Sequence, residues 1–184
     1  MNRLKLWEDS IIQNDLVYKL GLRNIHAIMK LKTIVLKSTV NSSTSEPKDI
    51  LYSLISLEVL TNQKAKVLRT RKAVAAFNIK KFNAISSKVT IRGKTLHAFL
   101  SFFITLVLPK VSDFKELKRK SLIHDKASLS LGVSNLALFP QLAKESEQLP
   151  KELGITITFN LDSKESNCNL LLLLSEYQIP VLIS

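Results

Sequence analysis

Positive charge is concentrated in one third of this sequence, and that concentration restricts how the segment can fold. Between Asn62 and Lys120 there are 15 lysines and arginines but only two acidic residues, Asp113 and Glu116. The rest of the chain is almost neutral, with 12 basic and 13 acidic residues. Because unpaired charges are not buried in a protein core, each helix or strand of this segment must keep one face at the surface. Such an excess favours an anionic partner, either a nucleic acid or a membrane.

A strand with two different faces is predicted inside this basic segment, at KVTIR (88–92). Successive side chains of a β-strand point to opposite sides, so Val89 and Ile91 share one face. The other face carries Lys88, Thr90 and Arg92. A sheet built this way packs a core behind while it presents cations and a hydroxyl to phosphates, sugars and base edges in front, and RNA is one ligand for such a face. A face that only contacts solvent would mix charges of both signs.

The hydrophobic pattern predicts helices and strands that interleave without a repeating unit. Helices are expected over Leu4–Leu20, Lys48–Leu60, Lys94–Leu108 and Ser163–Tyr177, and strands over Leu31–Val40, Lys66–Thr70, Ser87–Arg92, Ser128–Val133 and Gly154–Leu161. Gly21 is expected to end the first helix and Pro109 the third. Residues 41–47 are predicted to form a short polar connection between the first strand and the second helix.

Together these elements indicate one α+β domain over residues 1–184, with helices packed on one side of a mostly antiparallel sheet. In the first helix, the apolar stripe expected to face the core consists of Leu4, Trp7, Ile11 and Tyr18. Their spacings of three, four and seven residues are typical of an amphipathic helix.

No arrangement typical of an enzyme or a metal site occurs in the sequence. It lacks the glycine-rich phosphate-binding motifs, G-x-S-x-G and H-E-x-x-H. Cys168 lies in an apolar segment and is expected to be a small buried hydrophobic residue. His26, His97 and His124 are too scattered for a zinc site, and His97 is expected to be a surface or satisfied packing residue. We therefore expect no catalysis, no cofactor and no metal.

No membrane-spanning or targeting segment is expected either. The longest apolar run, from Leu96 to Pro109, is shorter than a transmembrane helix and ends in proline. The first residues lack the apolar stretch of a signal peptide and the composition of a transit peptide. Lysine outnumbers arginine by 21 to 6, which is typical of translation from an AT-rich genome. If the protein works in an organelle, we expect it to be made there.

A series of short motifs resembles a known family, large-subunit ribosomal protein 5, the universal 5S-rRNA-binding protein of the central protuberance. TNQK (61–64) resembles the family's T-G-Q-K, and RTRKAVAAF (69–77) its A-R-[KN]-[SA]-[VI]-A-x-F. KVTIRG (88–93) resembles K-V-T-L-R-G, and PKVSDF (109–114) resembles P-R-[IV]-R-D-F. SLSLGV, LFP and GITITF follow in the family's order. Each motif is short, but their order and spacing cover nearly the whole chain.

Three glycine-containing turns of the family are absent from this sequence. They are replaced by STVN (38–41), FNAIS (82–86) and DKASL (125–129). The family's asparagine just before the first of these is Lys37 here. Because glycine adopts positive φ values that other residues avoid, we expect these three loops to follow different paths. Such loss is expected of a mitochondrially encoded member.

The resemblance implies a curved antiparallel sheet, one face of which holds 5S rRNA. The candidate contacts, by matching position and from the adjoining strand lysines, are Lys37, Gln63, Lys64, Lys66, Lys88, Thr90 and Arg92. The basic loop over residues 71–86 resembles the family's protrusion toward peptidyl-site tRNA, with Arg71, Lys72, Phe77, Lys80 and Lys81 as candidates. The segment after Pro109 resembles the side that forms an intersubunit bridge, with Lys110, Asp113 and Phe114 as candidates. A short buried helix containing Val74 and Phe77 is the alternative for the loop.

The sequence therefore predicts a structural protein of the large ribosomal subunit. Its expected partners are 5S rRNA, large-subunit rRNA, peptidyl-site tRNA and neighbouring ribosomal proteins, including those of the small-subunit head. Its expected location is the mitochondrial matrix, with the plastid stroma and the bacterial cytoplasm as alternatives. The alternative function is that of a peripheral membrane protein, which would need a basic amphipathic helix or exposed apolar residues beside the charges. The segment Leu96–Leu108 is too uniformly apolar for that.

Overall fold

The computed structural model describes residues 3–40, 47–111, 123–125, 128–143, 153–162 and 170–179. Its strands are β1 (Lys30–Thr39), β2 (Lys66–Arg69), β3 (Ala84–Ile91), β4 (Ile123–Asp125), β5 (Ser128–Val133) and β6 (Gly154–Asp162). They form one six-stranded sheet in the order β2-β3-β1-β6-β5-β4. β2 pairs with β3, and β4 with β5, in antiparallel register. The predicted α+β class and the five predicted strands are confirmed, and β4 is an additional strand.

The described helices agree with the predicted segments in position, except for one short helix at Pro140–Ala143 that was not predicted, and two of them continue into irregular turns. The helices are α1 (Arg3–Trp7), α2 (Gln13–Leu20), α3 (Pro47–Thr61), α4 (Lys94–Phe102), α5 (Pro140–Ala143) and α6 (Leu170–Glu176). A π-helix (Glu8–Ile12) joins α1 to α2, and another (Phe103–Val107) follows α4 and leads into a 3-10 turn (Leu108–Lys110). Gly21 ends α2 in the left-handed conformation, with φ 59°, as predicted. The connection over residues 41–46 and the start of the last predicted helix lie outside the described residues.

The chain divides into two compact units. The first comprises Met1–Ile34, Arg92–Leu131 and Thr158–Ser184, and the second comprises Val35–Ile91 and Gly132–Ile157. Residues of β1, β5 and β6 belong to both units. Most of the predicted nucleic-acid contacts fall in the second unit.

The buried face of the N-terminal helix differs from the predicted stripe. Ile11 and Tyr18, which the stripe included, are 47% and 87% exposed. The residues buried there are Glu8, Ile12 and Leu16, four positions apart. The π-helix explains the difference, because its wider turn changes which residues share a face.

A polar cluster lies inside the first unit. His97 Nε2 is 2.6 Å from Glu8 Oε2, and both side chains are largely buried. Tyr177 is also buried, and its hydroxyl has no hydrogen-bond partner in the described part of the chain. Burial raises the pKa of the Tyr177 hydroxyl, and the nearby Glu8 carboxylate raises it further. His97 is thus a satisfied packing residue, as predicted.

Small side chains let α3 approach β3 closely in the second unit. Ser87 Oγ donates a hydrogen bond of 3.2 Å to the Ser53 carbonyl, and Ser56 Oγ donates to the same carbonyl at 3.0 Å. All three serines are fully buried. The register of β2 with β3 shifts between Leu68 and Arg69, just after the pair Leu68 and Ser86, and Ser86 is buried as well. α3 therefore covers the side of β3 that carries Ser87.

Candidate nucleic-acid interface

The outward side of β3 is the side that the sequence predicts. Val89 and Ile91 are 4% and 1% exposed, and they share the face of Ser87 that α3 covers. Lys88 and Thr90 alternate with them and are partly exposed. This burial pattern confirms the predicted phase of the strand. Lys88 and Thr90 project from the side of β3 opposite α3.

Lys66 of β2 lies directly opposite Lys88 of β3. Directly opposed residues of an antiparallel pair share a face, with Cβ atoms about 4.5–5.5 Å apart. Two ammonium-bearing side chains therefore rise from the same side of the hairpin. Like charges in this arrangement destabilise a sheet, and an anion held between them would relieve the repulsion. The pair is suited to contact a phosphate.

The surrounding residues do not neutralise this charge. The sequence contains no acidic residue between Glu58 and Asp113. The ion pairs found among the described residues, all in the first unit, are Lys19–Glu176, Lys32–Asp162 and His97–Glu8. Within the described ranges, no ion pair involves a cation between Lys64 and Arg92. These cations are available to an external anion.

The turn that leads from α3 into β2 is fixed by side chains of α3. Glu58 Oε1 accepts a hydrogen bond of 3.0 Å from the backbone nitrogen of Ala65. Thr61 Oγ1 accepts one of 3.3 Å from the backbone nitrogen of Gln63. Glu58, the last acidic residue before the basic segment, therefore holds the backbone of this turn. These contacts set the positions of Gln63 and Lys64 just before β2.

Lys37 lies on the outward side of β1, the strand next to β3 in the sheet. It is exposed, whereas Leu36 and Ser38 on either side of it are fully buried. Ser38 Oγ donates a hydrogen bond of 2.9 Å to the Gly154 carbonyl. Because its neighbours are buried and anchored, the backbone that carries Lys37 is held in place. Lys37 adds a third cation to the strands of the second unit.

Polar groups on the strands of the first unit are paired with one another instead. Lys32 Nζ is 3.0 Å from Asp162 Oδ1. Asn160 Nδ2 donates a hydrogen bond of 3.0 Å to Thr33 Oγ1. The lysine charge there is matched by a carboxylate. Apart from Lys30 at the start of β1, the exposed cations of β1, β2 and β3 that form no ion pair in the described ranges therefore lie in the second unit.

Four other predicted contact residues are outside the residue ranges of β1, β2 and β3. Arg92 follows β3 and belongs to the first unit, where it is exposed beside Gly93, whose φ of 63° favours glycine. Lys110 is exposed at the end of its 3-10 turn. Asp113 and Phe114 lie outside the described residues.

Thr70 connects the two ends of the basic loop between β2 and β3. We call this point, where Thr70 meets Lys80, Phe82 and Asn83, the neck of the loop. The backbone nitrogen of Thr70 donates to the Asn83 carbonyl at 2.9 Å, and its carbonyl accepts from the Phe82 nitrogen at 3.0 Å. Its hydroxyl donates to the Lys80 carbonyl at 2.7 Å. A single threonine therefore makes contacts to three residues on the other side of the neck. The sequence did not single out Thr70.

The tip of the loop is a closed turn with exposed side chains. Val74 and Ile79 exchange backbone hydrogen bonds of 3.0 and 3.1 Å around the 3-10 turn Ala75–Phe77. Val74 is 40% exposed and Phe77 is 65% exposed, so the alternative of a buried helix is wrong. The exposed cations of the loop are Arg71, Lys72, Lys80 and Lys81.

The expected end of this loop is corrected. β3 begins at Ala84, so the loop ends at Asn83 and not at Ser86. Strand pairing and the packing of α3 extend β3 toward the loop, and neither is visible in local sequence. Phe82, the first residue of the altered turn FNAIS, has φ 66°. The left-handed conformation is therefore present at this position although the residue is not glycine.

The site has the chemistry of an RNA-binding surface rather than of a catalytic centre. Cations on neighbouring strands can contact phosphates, and the Thr90 hydroxyl and Gln63 amide can contact sugars or base edges. Among the described residues, no cluster of three or more His, Cys, Asp or Glu side chains could hold a metal ion. In the same ranges, no helix is long and apolar enough to cross a membrane.

Comparison with known proteins identifies close relatives. The profile for the C-terminus of the ribosomal protein uL5 family matches residues 84–181. The chain is 36% identical over 184 residues to the large ribosomal subunit protein uL5m of Reclinomonas americana, covering 98% of each chain. It is 31% identical over 160 residues to uL5 of Prochlorococcus marinus strain NATL1A, covering 87% of this chain and 89% of that one. Against uL5 of strain MIT 9515 the identity is 32% over 168 residues, covering 91% of this chain and 94% of that one.

Proposed function

This chain belongs to the uL5 family of large-subunit ribosomal proteins, and on that premise we propose that its basic sheet face binds 5S rRNA. A member of this family has a structural role in the ribosome and is not an enzyme. The single observation that carries the proposal is the opposed pair Lys66 and Lys88, two cations on one face, neither of which forms an ion pair with a described residue.

The face combines two kinds of contact. Lys37, Lys66 and Lys88 supply charge that attracts any phosphate backbone and positions it. Thr90 and Gln63 are uncharged hydrogen-bonding groups, which suit the 2′-hydroxyls and base edges of an RNA minor groove. Because β3 is packed against α3 through buried serines, these groups are held on a rigid element before RNA binds. The proposed site therefore recognises the shape of folded RNA more than its sequence.

The loop between β2 and β3 is proposed to contact peptidyl-site tRNA. Its four exposed cations, closed neck and exposed tip support a contact with an RNA backbone. The segment that begins at Lys110 is proposed to reach proteins of the small-subunit head, through Asp113 and Phe114. Neighbouring large-subunit rRNA and ribosomal proteins complete the proposed partners.

The proposed location is the mitochondrial matrix, in ribosomes. The relative from Reclinomonas americana, which matches over 98% of both chains, carries the mitochondrial designation uL5m. The composition typical of an AT-rich genome supports the same location. Plastid and bacterial ribosomes are the alternatives.

A filter-binding series with 5S rRNA at increasing salt tests the proposal. Roughly four to eight phosphate contacts predict a log–log slope of about −3 to −7. The test variant carries Lys37→Gln, Lys66→Gln and Lys88→Gln, and the matched control loses equal charge from the first unit through Arg3→Gln, Lys5→Gln and Lys30→Gln. We expect the slope of the test variant to flatten by about 3 and that of the control to change far less.

Two results would contradict the proposal. One is an affinity for 5S rRNA that does not depend on salt. The other is binding to phosphatidylserine vesicles in a flotation assay, lost in the test variant, together with no binding to 5S rRNA. That second result would favour the alternative of a peripheral membrane protein.

A further inference from the structure

Phe82 holds an unusual backbone conformation in an exposed position. Its φ is 66°, in the left-handed region that bulky residues rarely adopt. Its side chain is 65% exposed, so the ring gains little from burial in the protein. Glycine would adopt this conformation without strain. A strained residue that adds nothing to the core points to a role in binding.

The position of the Phe82 ring is fixed by its neighbours. The backbone nitrogen of Phe82 donates to the Thr70 carbonyl at 3.0 Å, and the next residue, Asn83, accepts from the Thr70 nitrogen at 2.9 Å. The Thr70 hydroxyl adds a bond of 2.7 Å to the Lys80 carbonyl. The ring is therefore presented from the closed neck of the loop, at low conformational cost to binding.

The charged residues of the loop that carries this ring, from Thr70 to Asn83, are all positive. Lys81 Nζ lies 5.1 Å from the centroid of the Phe82 ring, within the range of a cation–π contact. Lys80, Arg71 and Lys72 are exposed in the same loop. An aromatic ring flanked by cations matches a nucleotide, whose base can stack on the ring while its phosphate meets the ammonium groups.

We propose that Phe82 is a stacking platform for one unpaired RNA base, with Lys81 as the contact for the adjoining phosphate. This inference rests on the proposed function, in that the loop approaches RNA, and it adds the chemical class of the contact. Bases inside a duplex are already stacked, so the ligand must be a single strand, a loop or a bulge. A loop of cations alone would bind duplex and single strands through their phosphates without this distinction.

The test uses the full-length protein and a short single-stranded oligoadenylate that contains the fluorescent base 2-aminopurine. Phe82→Gly removes the ring and suits the left-handed backbone, so it is expected to keep or raise the melting temperature. Phe82→Leu keeps apolar bulk without the aromatic ring. Tyr18→Leu, which removes an aromatic side chain that is 87% exposed in the first unit, is the matched control.

We expect Phe82→Gly to weaken binding of the oligoadenylate by roughly 5- to 150-fold, the range for loss of one base–aromatic stack, and to abolish quenching of 2-aminopurine. Phe82→Leu should lose the quenching as well, and Tyr18→Leu should change neither quantity. Affinity for 5S rRNA through the sheet face should stay the same in all three variants.

Three results would overturn this inference. The first is unchanged quenching in Phe82→Gly. The second is an equal loss of affinity for a fully duplex RNA, which would mean that the variant affects phosphate contacts alone. The third is Phe82-dependent binding to an acidic tyrosine-containing polypeptide without binding to the oligoadenylate, which would indicate a protein partner. Salt-dependent binding of 5S rRNA by the unaltered chain would leave the proposed function standing in each case.

Discussion

Lys66 and Lys88 face each other across the β2–β3 pair, on the side of the hairpin that α3 leaves uncovered. A directly opposed pair of like charges lowers the stability of a sheet, by about 0.2–1 kcal/mol for pairs of this kind. A bound phosphate reverses the sign of that contribution, because each lysine then has an anionic neighbour. We therefore expect the free protein to be less stable at this site than a complex in which a phosphate lies between the two lysines.

Lys66→Glu is expected to change the stability of the protein and its affinity for 5S rRNA in opposite directions. The new carboxylate would lie opposite Lys88, so we expect the free energy of unfolding to rise by about 0.2–1 kcal/mol while the affinity for 5S rRNA falls. Lys30→Glu, an exposed lysine at the start of β1, is the control and should change RNA binding far less. Thermal unfolding and filter binding on the same preparations measure both effects. A variant that is both less stable and unable to bind would contradict the assignment of Lys66 to the outward face.

Thr90→Val tests the uncharged contacts. Valine suits a strand and Thr90 is on the outward side, so the fold should remain intact. We expect the affinity for 5S rRNA to fall by about 1–2 kcal/mol, as for a lost hydrogen bond that leaves its partner unpaired, with no change in the salt slope. Arg92→Ala should lower both the affinity and the slope. A change of slope in Thr90→Val would mean that it affects the placement of the cations.

The loop beyond Thr70 can be removed without disturbing the sheet. Replacement of residues 73–81 by a short glycine turn keeps the backbone hydrogen bonds of Thr70 to Phe82 and Asn83 and removes the bond from the Thr70 hydroxyl to the Lys80 carbonyl. We expect an unchanged melting temperature and unchanged affinity for 5S rRNA, but weaker retention of peptidyl-site tRNA in assembled ribosomes. Loss of secondary structure by circular dichroism would show instead that the loop is needed for folding.

Tyr177→Phe is expected to stabilise the protein. The buried Tyr177 hydroxyl lies near the Glu8 carboxylate but makes no hydrogen bond of ordinary geometry in the described chain, and removal of such a group is worth about 1 kcal/mol. The variant should also resist alkali. The folded-state pKa of Tyr177 is raised by burial and by Glu8, so folding stability is fully present below the unfolded pKa of about 10 and declines as pH rises above it.

Denaturant unfolding between neutral pH and pH values above about 10 measures how the free energy of unfolding changes with pH in Tyr177→Phe and in the unaltered chain. Lys19, whose pKa is raised mainly by its hydrogen bond to Glu176, loses charge in an overlapping range in both proteins, so the difference between them isolates Tyr177. Parallel pH profiles for Tyr177→Phe and the unaltered chain would show that the hydroxyl is not the cause. A less stable variant at neutral pH would mean that the hydroxyl has a partner.

The strand phase at Val89 and Ile91 could be predicted because it depends on a local period of two residues. The buried face of the N-terminal helix could not, because the π-helix from Glu8 to Ile12 changes the repeat that the prediction assumed. Glu8 itself is buried against His97, which is 89 positions away, and no local pattern reveals such a pairing.

The candidate site could likewise be predicted only in part. Its cations and the outward direction of Lys88 follow from composition and alternation. The opposition of Lys66 and Lys88 depends on the register of two strands, which shifts between Leu68 and Arg69. The role of Thr70 depends on the closure of the loop. The only local indication of this role is the position of Thr70 at the end of a strand, between two arginines.

β2 is the last strand at one end of the sheet, with β3 as its only neighbour in the order. The open side of such a strand is a template on which a second chain can add, and short edges with charged side chains oppose this. β2 is four residues long, and Lys66 and Arg69 at its ends are exposed. A second copy that aligned there would bring cation against cation. The charges that we propose to bind RNA are therefore also expected to oppose aggregation of newly made chains through this edge before they are assembled into a ribosome.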